Sequence, residues 1–456
     1  MTQPPVPAHS PYGTVCHFVV QQYFDGWLIY RRRLKRRVPK YVRKAFRKFL
    51  KCGDPNQGFS VLACPTQHYS RYVAFRCKGR GFCTYCLMIR QRTLAHQLIE
   101  RVIGNVPVRH AVLCFPPALR FVIGYDKALL DGGFASLAEA MFNHQRRQAA
   151  DLFNVSLDRI HPGCAEVAHR ASANLDTNHH VHGIFPDGVF IERKDGTLEF
   201  CRLPKPSEAE LAAIAHEACV AFCGALKRRG FWETTSLSSD SVEGVLTLPK
   251  RTGRPTKFFG QAANDSEGGV APIGGAYAFH LFVGNAIEVE ERPQLEQLVN
   301  YILAPPFYDH QLSRDDQGNI VLKLKRARHD GTTHVVFSPF EFLDRLAELV
   351  SRPKANTVRY FGVYAPSARL RKHAVALRVG DAGPPSRVVG SANVCPICGK
   401  QLRVVAEVKG NRGTPNGVPP DTPESLTPRD QDRIEEVLSY AVQGRLFQPP
   451  SPYTAE

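Results

Sequence analysis

The sequence lacks a long hydrophobic run: none approaches the roughly 20 consecutive apolar residues that a helix needs to cross a bilayer. The N-terminal stretch MTQPPVPAHSPYG also lacks the charged and then apolar pattern of a signal peptide. We therefore expect a cytoplasmic protein with no membrane partner. Thiols stay reduced in that compartment, so the 13 cysteines are predicted to be free thiols or metal ligands rather than disulfides.

Acidic residues are also scarce. The chain has 42 Asp and Glu against 59 Lys and Arg, which gives a formal net charge of +17. Such an excess predicts a polyanionic partner, because each phosphate contact releases bound counterions. Residues 31–51 contain no acid at all, a pattern that fits a nucleic-acid-binding surface as well as it fits a solvated charged helix face. The candidate DNA contacts in this run are Arg36, Arg37, Lys40, Arg43, Lys44 and Arg47.

Four regions are predicted along the 456 residues. Residues 1–30 are expected to form a disordered leader and the start of a basic arm, and residues 31–105 a basic helix and a zinc-binding domain. The largest domain is expected at 106–378. Residues 379–456 are expected to hold a linker, a Cys-x-x-Cys knuckle and a disordered tail.

The largest domain is predicted to have an α+β fold, with a central antiparallel sheet and flanking helices. Val112–Phe115 reads as a buried strand that two prolines end. The Asp-Gly pairs at Asp187-Gly188 and Asp195-Gly196 predict two hairpin turns, and so three antiparallel strands. Amphipathic spacing and capping residues predict the helices at 207–230, 294–303 and 338–350.

A cysteine-rich segment precedes this domain. Zinc prefers four soft ligands in a tetrahedron, and the two-residue gap between Cys83 and Cys86 lets two thiolates bind one ion. This pair is the secure part of the predicted site. The other two ligands are expected from Cys64, His68 and Cys77. Cys52 is a less favoured candidate.

A second Cys-x-x-Cys knuckle lies near the C-terminus, in CPICGK. Cys395 and Cys398 offer only two ligands. The remaining ligands of a metal ion here would come from elsewhere in the fold or from another chain.

The stretch NHHVHGIFPDGVF contains three histidines. Residues two apart project from the same face of a strand, so His180 and His182 are expected to point together, while His179 points to the opposite face. Two neutral imidazoles suit a divalent ion that keeps open positions for substrate and water.

Several enzyme classes use a His-x-His pair. Histidine-triad hydrolases need a further histidine where this chain has Ile184, and metallo-β-lactamase-like enzymes need Asp and His at Ile184 and Phe185. A third class cuts single-stranded DNA with a tyrosine on a separate helix. Tyr301 is suited to that role, because it lies away from the apolar stripe of its predicted helix. Its phenol needs an electrophilic phosphate, which a metal ion on the histidines would supply.

These segments together resemble the rolling-circle insertion-sequence transposases of the HUH (His-hydrophobic-His) tyrosine nuclease class, which have an N-terminal zinc-binding region. The similarity covers roughly residues 40–405. VAFRCKGRGFCTYC resembles the zinc-region signature, HVHGIFPDGVF the histidine strand and LVNYILAPP the tyrosine helix. LKRARHDGTTHVVFSPFEFLDRLAELV and CPICGKQLRVVAEV are similar to segments further along these proteins.

The resemblance implies an RNA-recognition-like nuclease fold, structural Zn²⁺, and Mg²⁺ or Mn²⁺ on His180 and His182. It also implies that Tyr301 attacks single-stranded DNA at element ends and forms a covalent phosphotyrosine. We expect His280 as the third ligand of the catalytic ion, with Gln297 as the alternative. A second chain is a further candidate partner. Basic residues beyond the tyrosine helix are predicted phosphate contacts: Lys323, Lys325 and Arg326.

The chain departs from the family pattern at three places. Ala304 stands where the family has an arginine, and Cys64 and His68 stand where it has a Cys-x-x-Cys pair. Tyr308, the next tyrosine after Tyr301, follows two prolines and is not expected to share the helix face. Two alternatives therefore stay open: a replication initiator or relaxase with the same chemistry, and a catalytically lapsed zinc-dependent DNA-binding protein.

Overall fold

A computed structural model describes residues 10–409 except 67–68, 117–118, 121–122, 125, 231, 235–243, 247–278, 329, 354 and 378–394. The described chain combines helices with antiparallel sheets, which confirms the α+β class. The helices are α1 (Val15–Arg33), α2 (Lys40–Phe49), α3 (Thr84–Leu98), α4 (Lys127–Phe153), α5 (Glu208–Arg228), α6 (Arg292–Ile302), α7 (Pro339–Leu349) and α8 (Arg371–Ala376).

Sixteen strands are found in the described residues. They are β1 (Gly58–Ala63), β2 (Ser70–Ala74), β3 (Val108–Cys114), β4 (Ile160–His161), β5 (Gly163–Ala171), β6 (Thr177–Pro186), β7 (Gly188–Glu192), β8 (Leu198–Arg202), β9 (Trp232–Thr234), β10 (Gly244–Leu246), β11 (His280–Ile287), β12 (Leu312–Arg314), β13 (Ile320–Lys323), β14 (His334–Phe337), β15 (Val358–Gly362) and β16 (Arg403–Lys409).

The central sheet has the strand order β11-β3-β6-β5-β15, and every pair in it is antiparallel. Strand β6 lies in the middle and pairs along both edges, and helices cover both of its faces. Helices α4 and α5 pack on the face that carries Val181, and α3, α6 and α8 pack on the face that carries Ile184. Since side chains alternate along a strand, His180 and His182 share the face that meets α6.

The first Asp-Gly pair does not form the predicted hairpin. Strand β6 pairs with β3 and β5, whereas β7 pairs with β4 and β8. The buried Asp187 carboxylate accepts hydrogen bonds from Arg109 and Arg202, which come from two different sheets. A Cβ on Gly188 would lie 2.2 Å from the Cys201 carbonyl oxygen. Asp187 therefore links two sheets through ion pairs instead of starting a hairpin turn. The second pair, Asp195-Gly196, does lie in the turn of the β7–β8 hairpin, as predicted.

The predicted leader and start of the arm, residues 1–30, contain a helix in their second half. Helix α1 begins at Val15, with a side-chain cap from Thr14. Its Trp27 is fully buried, and the indole N–H donates to Asp344 of α7 at 2.9 Å. Residues 1–9 lie outside the described chain.

Helix α2 is the predicted basic helix. Val42, Phe46 and Phe49 are buried, and they share one core with α1, α7 and strands β12–β14. The apolar side chains of this helix therefore anchor it to the second half of the chain, and its basic residues other than Arg43 stay exposed.

Helix α5 is long and apolar enough to cross a membrane by length and composition alone. Its apolar residues Ile214, Ala218, Phe222 and Leu226 pack in the core beside the central sheet. Ser207 and Glu210 cap its N-terminus reciprocally. Packing inside the fold accounts for its composition.

Candidate active site and metal centres

Three histidines meet on the α6 face of the central sheet. His180 and His182 come from β6, and His169 of β5 lies directly opposite His180 in the ladder. One ligand nitrogen from each of the three lies within 4.8 Å of the others. The ring centroids of His169 and His182 are 4.2 Å apart, and those of His180 and His182 are 4.9 Å apart. We call this set the histidine cluster.

Hydrogen bonds occupy one nitrogen of each ring in the histidine cluster. His180 Nδ1 donates to the Asn178 carbonyl at 2.8 Å, and His169 Nε2 donates to the Ile302 carbonyl at 2.5 Å, because a carbonyl can only accept. His182 Nδ1 shares a 2.8 Å hydrogen bond with His110 Nε2. The other nitrogens keep their lone pairs, and the buried His182 Nε2 has no partner among the described residues. Metal-binding histidines are oriented in this way.

Burial keeps these imidazoles neutral. Loss of hydration lowers the pKa of His169 to about 4 and that of His110 to about 4, and it lowers the pKa of His182 further. A metal ion binds only the unprotonated imidazole. The cluster is therefore in the form that binds a metal ion at neutral pH.

Tyr301 faces the histidine cluster from α6. Leu295, Val299 and Ile302 bury one side of this helix, while Tyr301 is 59% exposed. Its ring centroid lies 5.9 Å from that of His182, with the two planes nearly perpendicular. The structure thus brings the predicted tyrosine and the predicted histidine pair together, although Tyr301 and His182 are 119 positions apart in the chain.

The predicted third ligand, His280, does not join the cluster; the histidine found beside His180 and His182 is His169. His280 is an exposed residue at the start of the edge strand β11, where it lies opposite Cys114. Strand β3 separates it from β6, so its backbone is about 10 Å from that of His180. The alternative, Gln297, is exposed on α6. The sequence signal for His169 was its place at the end of the strand in CAEVAH.

A cleft of about 270 Å³ opens beside the cluster, and Tyr301, His169 and His180 line it. Four cationic side chains also line it, two from the cysteine-rich module and two from elsewhere: Arg80, Arg90, Arg170 and Lys325. No Asp or Glu is found among its described lining residues. A cleft with this charge suits an anionic ligand such as a phosphodiester.

The other predicted DNA contacts lie outside this cleft. Arg36, Arg37, Lys40, Lys44 and Arg47 are exposed on or just before α2, and Arg43 is half-buried. Lys323 and Arg326 are exposed beside Lys325. Of the predicted set, Lys325 alone lines the cleft; its Nζ also lies 5.0 Å from the ring centroid of Tyr308.

The first cysteine cluster consists of Cys52, Cys77, Cys83 and Cys86. Their closest Sγ–Sγ distances are 3.5–3.7 Å, close to the roughly 3.8 Å edge of a tetrahedron with zinc–sulfur bonds of about 2.3 Å. The backbone N–H groups of Cys77 and Gly79 donate to cluster sulfurs at 3.3 Å. This donor set fits structural Zn²⁺.

Cys64 is not part of that cluster, which corrects its expected grouping with Cys83 and Cys86. Cys52 precedes β1 and Cys64 follows it, and a six-residue strand spans about 20 Å, so the two cannot bind one ion. Cys64 instead joins Cys395 and Cys398 in a second cluster. The Lys400 backbone N–H and the Thr66 hydroxyl lower the pKa of the Cys398 thiol to about 7. His68, also a predicted zinc ligand, lies outside the described residues.

Two family models match the chain. Residues 163–372 match the family described as "Putative transposase" (Y2_Tnp), and residues 19–115 match the transposase zinc-binding domain Zn_Tnp_IS91. The histidine cluster and Tyr301 lie within the first match, and the first cysteine cluster lies within the second. No curated protein and no solved structure gives a significant match. The chain therefore acts on DNA in transposition and carries a zinc-binding region, and it belongs to the IS91-type rolling-circle transposases.

Proposed function

We propose that this transposase nicks and rejoins single-stranded DNA by attack of Tyr301 on a phosphodiester, with Mg²⁺ or Mn²⁺ held by His169, His180 and His182. The observation that carries the proposal is the position of the Tyr301 ring beside His182 in an acid-free, cation-lined cleft. The five-stranded antiparallel sheet with helices on both faces supports an HUH-type, RNA-recognition-like nuclease core.

The reaction exchanges one phosphodiester for another. Tyr301 Oη forms a bond to phosphorus, the bond from phosphorus to one deoxyribose oxygen breaks, and the phenolic proton ends on the departing oxygen. The phosphotyrosine keeps the energy of the original bond, so attack by a deoxyribose hydroxyl rejoins the strand. A bound divalent ion polarises the phosphate.

The chain's own residues position this reaction. His110 and the Asn178 and Ile302 carbonyls fix the ring orientations in the histidine cluster. The Ile302 carbonyl follows Tyr301 directly, so the same turn of chain orients both His169 and the nucleophile. This coupling between the tyrosine helix and the cluster limits loose motion of the phenol relative to the ion.

The lining of the cleft favours an unpaired strand. Leu87 and Leu94 of α3, together with Leu303, give it an apolar wall, while Arg80 and Arg90 add positive charge from the same module as Leu87 and Leu94. Single-strand sites combine apolar or aromatic surface for bases with cations for the backbone. The cleft keeps this positive character although Ala304, which also lines it, replaces the family arginine.

The test uses a labelled single-stranded oligonucleotide from an element end, incubated with the full chain and Mn²⁺. We expect a denaturation-resistant adduct from wild-type protein and from Tyr308→Phe, and none from Tyr301→Phe. A replication initiator would give the same adduct, but the two transposase matches favour transposition. Binding without an adduct for any end sequence would overturn the proposal and leave the lapsed DNA-binding protein.

A further inference from the structure

We propose that Cys64, Cys395 and Cys398 form a second zinc site that ties the C-terminal segment to the N-terminal zinc-binding region. The Sγ atoms of Cys64 and Cys398 lie 3.4 Å apart, although the two residues are 334 positions apart in sequence. The three sulfurs all lie within 4.8 Å of one another. The zinc-binding family match ends at residue 115, so it does not include two of these three cysteines.

The two halves of the site have the same local backbone pattern. Cys64 N–H donates to the Tyr69 carbonyl at 2.8 Å, and Cys395 N–H donates to the Lys400 carbonyl at 2.8 Å. In both turns the cysteine amide thus reaches a carbonyl five residues further on. Gly399 adopts a φ of +69° in the second turn, a conformation that favours glycine. Two such turns facing each other present their thiolates to one point.

Strand pairing holds the two turns together. Strand β16 runs antiparallel to β1 from Gly58↔Lys409 to Ala63↔Arg403, and β2 pairs on the other side of β1. The cysteines lie just beyond the Ala63–Arg403 end of this ladder. The register therefore brings Cys64 close to Cys395 and Cys398.

The apolar cluster under these strands is small. Leu62 and Leu402 are buried beside Cys64 and Cys395, with Tyr69 and Val73 partly buried against them. A second small cluster on the same strands buries Phe59, Val61 and Val408. A sheet with such small apolar clusters gains stability from a bound metal ion or a disulfide. A disulfide requires about 2.05 Å between sulfurs, whereas three thiolates suit a soft divalent ion.

The Thr66 hydroxyl supports the metal interpretation. Its Oγ1 lies 3.0 Å from the Cys64 sulfur and 3.6 Å from the Cys398 sulfur. A hydroxyl hydrogen bond to a thiolate orients the ligand and stabilises its negative charge. Three thiolates and one further donor complete the tetrahedron that zinc prefers.

The experiment measures zinc stoichiometry in the full chain by native mass spectrometry after purification under reducing conditions. We expect two zinc ions in the wild type, one in Cys398→Ser and one in Cys86→Ser. Cys219→Ser is the matched control, because Cys219 belongs to neither cluster, and it should keep two. One ion in the wild type, two in Cys398→Ser, or a zinc-free mass that shows a Cys64–Cys398 disulfide would overturn the proposal.

X-ray absorption on the wild type gives a test that does not depend on whether Cys398→Ser folds. It should show seven thiolates shared by two ions, the number that the two clusters supply. If Cys398→Ser does fold, hydrogen exchange gives a further test: amide protection over residues 403–409 should fall by at least about tenfold, while that of β6 stays unchanged. Four sulfurs on a single ion, or unchanged protection in β16, would contradict a zinc tether.

Discussion

Replacing His169 tests the geometry of the histidine cluster most sharply, because the sequence alone favoured His280. His169→Ala removes one of three imidazoles and leaves His180 and His182 in place. Loss of an orienting partner of a metal ligand typically costs 10–100-fold in affinity. Loss of a ligand itself should weaken binding by at least the upper end of this range. We therefore expect the Kd for Mn²⁺ to rise at least about 100-fold, which corresponds to about 2.7 kcal/mol of binding free energy.

The assay is Mn²⁺ titration by calorimetry, with three proteins compared. His169→Ala should show the large loss, and His110→Phe should show a loss of about 10–100-fold, since it removes the hydrogen bond to His182 but no ligand. His280→Ala, at the exposed edge strand, should bind as wild type. A large loss in His280→Ala with wild-type affinity in His169→Ala would refute the assigned ligand set.

Three further predictions concern stability and DNA binding. Gly188→Ala should lower the free energy of unfolding, measured in urea, by more than about 2 kcal/mol, because its Cβ would lie 2.2 Å from the Cys201 carbonyl oxygen. Gly196→Ala has open space around its Cβ and should lower it by only about 1 kcal/mol, the strain of a φ of +84°. The metal-free chain should lose stability as pH falls from 6.5 towards 4, because burial lowers the pKa of several histidines, that of His169 to about 4. His169 alone should contribute about 3 kcal/mol of this loss at pH 4, and a pH series on His169→Leu should lack that part. Arg90→Ala should weaken single-strand binding and reduce its salt slope by about 1, and an equal slope in wild type and Arg90→Ala would show that the cleft does not hold the strand.

Local patterns predicted those features that depend on neighbours in sequence. The apolar spacing of Leu295, Val299 and Ile302 placed Tyr301 on the exposed side of its helix, and the structure agrees. The two-residue period of a strand gave the shared face of His180 and His182. Helix α1 also carries such a pattern in Val20, Phe24 and Trp27, which are all buried.

Features that depend on strand register were beyond local patterns. His169 reaches the cluster because β5 pairs with β6 in the register that sets it opposite His180. Cys64 reaches Cys398 only through the β1–β16 ladder. The Asp-Gly pair predicted a turn at Asp187. The actual partners of its carboxylate, Arg109 and Arg202, lie on other strands and give no local signal. Each of these contacts joins segments whose pairing no short stretch of sequence specifies.

The most direct test of the central claim is to identify the residue that becomes linked to DNA. Wild-type protein is incubated with Mn²⁺ and a single-stranded oligonucleotide from an element end, digested, and analysed by tandem mass spectrometry for nucleotide-modified peptides. We expect a Mn²⁺-dependent phosphodiester on Tyr301, which should be lost in His182→Ala because the ion is then no longer held beside the phenol. A modification on Tyr308, or an adduct that forms equally in His182→Ala, would contradict it.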